Sequence, residues 1–241
     1  MILFYRIYQF CIAAPLIIVA TVLTALVTII GSAIGGAHFW GYWPARYWSK
    51  FICAILLLRI RVQGMENVDK KTSYVFVANH QGSFDIFLIY AALGRNFKWM
   101  MKKELRKAPF IGKACESARH IFVDNSTPRK TQETMQKAGD TLQHGTSLVV
   151  FPEGRRTFTG KMGPFKKGAY QLASHLNLPI VPMTINGSFD VLPRMKGINF
   201  VNRHTLTLTI HHPIGSEDMQ QAMTQSRAMI EEGLDKKYRG C

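Results

Sequence analysis

His80 and Asp85 stand five positions apart in NHQGSFD, residues 79–85, directly after the apolar run SYVFVA. A carboxylate that accepts a hydrogen bond from one imidazole nitrogen fixes the ring's tautomer and leaves the other nitrogen free to take a proton. That is the general-base half of a catalytic triad, without a protein nucleophile. Gly82 permits the turn between the two residues. Ser83 is placed to cap a helix starting at Phe84, so Asp85 falls in the first turn, within folding-back distance of His80. A plainer reading of the heptapeptide stands beside this one: Asp85 complements a helix dipole and His80 is a polar loop residue. Ser83 as nucleophile is disfavoured, because no G-x-S-x-G elbow surrounds it.

A second stretch, FPEGRRTFTG at residues 151–160, also leaves an apolar strand, LVVF, and turns through Pro152 and Gly154 into Arg155 and Arg156. Guanidinium forks pair with phosphate oxygens bidentately. Glu153 is placed to hold an arginine or a substrate hydroxyl. Adjacent loop arginines are most often solvated charge, yet these follow a strand end, as His80 does. Ligands of α/β sheets bind beyond the carboxyl ends of strands.

The elements that would carry both stretches alternate from Ser73 onward. Residues 73–78, 97–101, 120–123, 147–151, 180–185 and 205–210 have strand length and apolarity. Helical patterns fill 85–93, 128–144 and 166–176, and residues 217–238 close the chain. In the second helix Ser126 or Thr127 is the expected cap, Pro128 the first position and Gly145 the terminator, with Met135, Ala138 and Leu142 facing inward. The alternation predicts an α/β fold: a mixed, largely parallel sheet flanked by helices. HTLTLTI, with its two-residue period, is expected at a half-exposed edge.

Ahead of this domain, no Asp, Glu, Lys or Arg occurs between Arg6 and Arg46, and residues 12–30 are almost wholly apolar. Nineteen helical residues rise about 28 Å, close to the hydrocarbon thickness of a bilayer. A cleaved signal peptide would have a shorter apolar stretch. A second apolar run, residues 51–58, follows Trp40, Tyr42, Trp43, Tyr47 and Trp48, aromatics of the kind found at membrane interfaces. Residues 1–62 are therefore expected to form an N-terminal membrane-anchoring helical segment, either one span or a two-helix hairpin in one leaflet, with a catalytic domain at 63–241. Arg46, Lys50, Arg59 and Arg61 set that domain on the cytoplasmic face of the inner membrane by the positive-inside bias.

Thirty Lys plus Arg against fifteen Asp plus Glu give a formal charge of +15. Such a charge suits anionic lipid, phosphorylated substrates or nucleic acid, but no nucleic-acid motif is present. Cys11, Cys53, Cys115 and Cys241 are scattered, without C-x-x-C spacing, which argues against a disulfide framework or a zinc site. His211 and His212 lack neighbouring ligands and read as surface residues, not metal ligands. The closing KKYR reads as a solvated tail, and Asn186, Gly187 and Ser188 as a turn.

Taken in order, His80, four residues and Asp85, then KKELRKAPFIG (residues 102–112), FPEG about seventy residues after the histidine, and IVPMTI (residues 180–185) resemble the glycerophospholipid acyltransferase family, in particular its 1-acyl-glycerol-3-phosphate subgroup. The resemblance implies acyl transfer from acyl-CoA or acyl carrier protein to the sn-2 hydroxyl of a lysophospholipid, giving phosphatidic acid, with no metal and no resident cofactor. It implies His80 as general base and Asp85 as its orienting partner. Glu153, Gly154 and Arg156 match the family's FPEG block, and Lys102 opens its second block. Two positions depart: Arg155 replaces a threonine, and Val123, Asp124, Asn125 stand where relatives carry Asp-Arg. Arg155 or Arg129 is the expected replacement for that lost cation. Glycerol 3-phosphate or a lyso-aminolipid is an alternative acceptor. A non-catalytic protein that binds anionic lipid is the alternative of a different class, and it gives no reason for His80 and Asp85.

Overall fold

The computed structural model describes residues 2–124, 126–142, 145–194 and 199–240. Asn125, Cys241 and the last two residues of the 128–144 helical pattern lie outside these. The chain opens with one apolar helix, Ile2–Ala33, made of α1 (Ile2–Tyr8), a π-helical stretch (Gln9–Ala13) and α2 (Ala14–Ala33). At 1.5 Å per residue it is about 48 Å long. The short α3 (Ala37–Trp40) reverses the chain into α4 (Trp43–Ile55), which runs back along the first helix. Tyr5 and Tyr8 donate their hydroxyls to the carbonyls of Leu56 and Ile55 (2.7 and 2.8 Å), and Trp48 Nε1 donates to Thr21 Oγ1 (3.0 Å).

This hairpin is fastened to the rest of the chain at both ends. Near its start, Gln9 exchanges two 2.8 Å hydrogen bonds with the backbone of Val201. At its turn, Asn96 donates to the carbonyl of His38. Tyr42, Ile52, Cys53 and Leu56 are buried in the same apolar cluster as the sheet residues Phe76, Phe97 and Val149. The opposite side of the long helix leaves Ile18, Leu23 and Ile30 exposed.

The remaining elements are β1 (Arg59–Gln63), β2 (Val75–Ala78), α5 (Phe84–Ala92), β3 (Phe97–Lys102), α6 (Ile111–Ser117), β4 (Ile121–Val123), α7 (Pro128–Thr141), β5 (Ser147–Val150), α8 (Gly168–His175), β6 (Ile180–Asn186), α9 (Ser188–Val191), β7 (Thr205–Ile210) and α10 (Met219–Gly233). Seven strands form one sheet in the order β1-β7-β6-β2-β5-β3-β4. All neighbours are parallel except β6 and β7. The expected α/β class with a mixed, largely parallel sheet is what the chain adopts. α5 and the hairpin cover one face; α7, α8 and α10 cover the other. β2 and β5, buried on both faces, consist of unbroken apolar or small residues, as central parallel strands do.

HTLTLTI is not at the edge. β7 alternates as expected, with Leu206, Leu208 and Ile210 buried, but β1 pairs outside it, Arg59 opposite Thr205 through Gln63 opposite Thr209. RIRVQ is nearly all exposed, and its charges had suggested a membrane flank. Charged residues on an outermost strand discourage pairing with another chain, so the same arginines suit a sheet edge. In α7, Thr127 is the cap, accepting from the Lys130 amide.

Candidate active site

The register of the two central strands builds the site. Val77 lies opposite Val150, so the chain leaves β2 and β5 side by side, and His80 comes abreast of Glu153. On its other flank Asn79 is fully buried and pairs with Ile185 of β6 like a strand residue: its amide donates to the Ile185 carbonyl (2.9 Å) and its Oδ1 accepts from the Ile185 amide (2.8 Å). The loop after β2 is thus held between β5 and β6 at the carboxyl rim of the parallel strands.

His80 and Asp85 meet. His80 Nδ1 is 2.7 Å from Asp85 Oδ2, the carboxylate fully buried and the imidazole 14% exposed. The same Oδ2 accepts the amide of Gly82 at 3.0 Å, which closes the turn. Asp85 as acceptor sets the proton on Nδ1 and leaves Nε2 with its lone pair. Gly82 is required by space: a Cβ there would lie 2.5 Å from Ser188 Oγ and 2.6 Å from the Ser188 carbonyl. The segment Asn186–Ser188, expected only as a turn, therefore packs beneath the His80 loop.

Glu153 holds neither an arginine nor an open site. Its Oε1 accepts the amide of His80 (2.8 Å) and its Oε2 that of Gly163 (2.7 Å). Burial pushes its carboxyl above the usual carboxylate range, and those two amides pull the other way. The carboxylate is a brace between two loops. A third strut is the Thr157 amide, which donates to the His80 carbonyl at 3.0 Å. The ring of His80 rests on Phe151, stacked at 3.9 Å between centroids and 6° from parallel.

Arg156 is half-buried and reaches back to the Ser83 hydroxyl. Ser83 occupies the cap position of α5 but makes no capping bond, because its own backbone is already helical (φ −68°, ψ −24°) and its hydroxyl serves Arg156 instead. Arg155 is exposed and makes no ion pair among the described residues. Gly154 turns between them and Glu153 at φ 68°. Arg194, which no sequence pattern marked, donates to the Arg156 carbonyl (3.1 Å) and lies 4.1 Å over the ring of Phe158.

Lys102 ends β3, two strands from β2, and is exposed on the same rim. Its neighbour Lys103 is tied to Asp124 (2.9 Å), as is Lys130 (3.4 Å). Arg129 is placed elsewhere: it lies on α7 beside the edge strand β4, its side chain 89% exposed and paired with Glu133 one helical turn on. Of the two candidate replacements for the cation absent after Asp124, Arg155 is the one on the loop that braces His80.

The closing tail also reaches this face. Tyr238 is buried; its hydroxyl donates to Asp190 Oδ1 (2.8 Å), which Lys237 also contacts at 2.7 Å. Its ring covers Gly160, where a Cβ would lie 2.4 Å from the tyrosine. The Gly160 carbonyl accepts from Gln81 Nε2 at 2.8 Å, so the tail presses the arginine loop onto the residue next to His80. The solvated tail expected from KKYR is corrected accordingly: Tyr238 buries an aromatic ring where the sequence shows only charged neighbours. Among the described residues no three His, Cys, Asp or Glu side chains come together as metal ligands.

His80 and Asp85 thus lie beside the arginine turn, on the carboxyl rim of a mixed α/β sheet whose one face is covered by the apolar hairpin. Residues 59–186 match the acyltransferase family profile, and the chain belongs to that family. It is 30% identical over 193 residues to a chloroplastic 1-acyl-sn-glycerol-3-phosphate acyltransferase of Arabidopsis thaliana, covering 79% of this chain and 53% of that protein. It is 31% identical over 197 residues to the Saccharomyces cerevisiae 1-acyl-sn-glycerol-3-phosphate acyltransferase, covering 80% and 64%. The chain thus spans between half and two thirds of the length of these curated relatives. The crystal structure of the 1-acyl-sn-glycerophosphate acyltransferase PlsC from Thermotoga maritima superposes with a TM-score of 0.77 at 25% identity, covering 96% of this chain and 93% of that one.

Proposed function

We propose that this chain transfers an acyl group from a thioester donor, acyl-CoA or acyl carrier protein, to the sn-2 hydroxyl of 1-acyl-glycerol-3-phosphate, forming phosphatidic acid. The His80–Asp85 pair carries the reading, and the names of the relatives agree with it. Nε2 of His80 takes the proton of the acceptor hydroxyl as the oxygen attacks the thioester carbonyl. Asp85 holds the ring and stabilises the imidazolium that forms. When the tetrahedral intermediate collapses, the carbon–sulfur bond breaks and the imidazolium returns its proton to the departing thiolate. A positioned base of this kind contributes about 10²- to 10⁴-fold, and alignment of donor and acceptor contributes more. Arg155 and Arg156 hold the acceptor phosphate, with Lys102 further along the rim. The steps as written need neither a metal nor a resident cofactor.

The hairpin supports a membrane location with the rim facing lipid. A long helix tied to the domain at Val201 and again at its turn is not free to stand across a bilayer, so we place it in one leaflet, exposed apolar side outward. We place the domain on the cytoplasmic face of the inner membrane, whose anionic leaflet suits the net positive charge of the chain. Purified chain offered lysophosphatidate with each donor in turn should yield phosphatidic acid by mass. Folded protein that makes none with either donor would overturn the reading. Competition by glycerol 3-phosphate and lyso-aminolipids separates the alternative acceptors.

A further inference from the structure

Between β3 and β4 the chain passes through a 3-10 turn, Lys103–Lys107, and α6. Three large apolar side chains gather at this bend and are uncovered: Leu105 is 50% exposed, Phe110 58% and Ile111 49%. The bend is compact, with the Ala108 amide donating to Leu105 and the Gly112 amide to Ala108. Phe110 sits at φ 58°, ψ −48°, a backbone region that bulky residues avoid. Its side chain contributes no core burial to offset that strain. Strain retained without internal compensation points to a function outside the fold.

The position of the bend identifies the partner. α6 packs against α2, and at the hairpin turn Gly41 lies so close to Ala118 that a Cβ would be 3.0 Å from its Cα. The bend therefore opens a helix that is packed on the long apolar helix, on which Ile18, Leu23 and Ile30 are exposed. Around it, residues 102–113 carry five basic residues and one acidic residue. Lys103 is neutralised by Asp124 and Arg106 lies 4.6 Å over the ring of Phe122, while Lys107 remains exposed and Lys113 meets Glu116 at the surface. Apolar tips ringed by lysine match an anionic lipid leaflet.

We propose that Leu105, Phe110 and Ile111 enter the same leaflet as the hairpin, forming a second wedge that Lys107 and Lys113 fix at the level of the lipid phosphates. The proposal rests on the membrane reading above. It gives the full chain two separate insertions on one plane, the hairpin and the bend at the end of β3, with Lys102 of the substrate rim at headgroup height.

The test uses full-length protein carrying a photo-crosslinking residue, Phe110→p-benzoylphenylalanine, with Ile18→p-benzoylphenylalanine as the hairpin control, in vesicles of zwitterionic lipid with or without phosphatidylglycerol. Lipid adducts at both positions, the one at 110 rising with phosphatidylglycerol, support the wedge. Adding Lys107→Glu and Lys113→Glu should then lower the yield at 110 by about fivefold or more, the worth of each cation at an anionic surface, with position 18 unchanged. Lipid adducts at 18 alone overturn the wedge and leave the membrane reading standing. Adducts at neither position overturn both. A cross-link from 110 to added acyl carrier protein in place of lipid overturns the proposal in favour of a protein-docking surface.

Discussion

The imidazole of His80 lies flat against Phe151, 3.9 Å away and 6° from parallel, while its edge meets Asp85. Phe151 is itself stacked on Trp99 at 5.4 Å. The ring is therefore fixed both in its plane and in its rotation. Phe151→Leu keeps an apolar side chain but gives up the flat support. We expect kcat to fall about 10- to 100-fold, since small misplacements of a catalytic group cost that much, with KM nearly unchanged. Steady-state kinetics at saturating donor would check this, and an unchanged kcat would remove Phe151 from the positioning of His80.

Asp85→Asn keeps the shape of the side chain but not its charge, and an amide group facing Nδ1 permits the wrong tautomer. The expected loss in kcat is about 10²- to 10⁴-fold. His80→Ala should cost a similar amount, and the double variant little more than either alone, because the two act as one unit.

Arg155 and Arg156 should separate in kinetics. Arg155 is exposed and makes no ion pair among the described residues, so Arg155→Ala is expected to raise KM for lysophosphatidate by roughly tenfold or more, the worth of a charge-assisted hydrogen bond, with the fold untouched. Arg156→Ala also frees Ser83 and should lower kcat as well. Glycerol-backbone acceptors lacking the phosphate would show no such difference for Arg155→Ala. If they do, its role in gripping the phosphate is wrong.

Tyr238 links the tail to the loop that braces His80. Tyr238→Phe loses the bond to Asp190 and should cost about 1 kcal/mol of stability. Tyr238→Ala opens a void over Gly160 and should cost about 3 kcal/mol. The kinetic signature distinguishes positioning from mere stability: at a temperature where both variants are folded, Tyr238→Ala should still have a depressed kcat, and Tyr238→Phe should restore most of it.

Lys98 is buried at 3% exposure and its Nζ has no hydrogen-bond partner. Burial, with the Arg119 charge adding to it, brings its pKa from 10.5 down to about 8. Between pH 8 and 10.5 the unfolded chain holds this proton and the folded chain does not, so stability should rise with pH across that window. Below it, the folded state carries the full cost of a buried ammonium. Lys98→Met should therefore stabilise the protein at neutral pH by about 1 to 3 kcal/mol and abolish the rise. Denaturant midpoints measured across the window would show a flat profile in the variant and a sloping one in the parent.

Much of this architecture is legible without coordinates, and the reasons differ element by element. VFVA and SLVV are apolar without interruption because both faces of the central strands are covered. The contact of His80 with Asp85 follows from a short spacing that a tight turn at Gly82 closes. RIRVQ is opaque, since an exposed outermost strand needs no apolar residue and its arginines equally suit a membrane flank. The double duty of Glu153 could not be read either, because its partners are backbone amides that any residue could supply. Arg194 and Tyr238 arrive from distant segments through tertiary packing, and a sequence carries no local mark of such returns. Arg129 illustrates the converse: near the right strand in sequence, it is spent on its own helix.

The pairing of Val77 with Val150 has a consequence for how such an enzyme can change. Slipping one central strand past the other by a single residue would turn every side chain beyond it to the opposite face and carry His80 away from Glu153. The meeting of His80 with Asp85 and Glu153 is thus written into a ladder of amides in the dry middle of the slab, where drift is punished. Exposed side chains on the arginine turn, such as Arg155, carry no part of that ladder and can change while His80 and Asp85 stay where the strands put them.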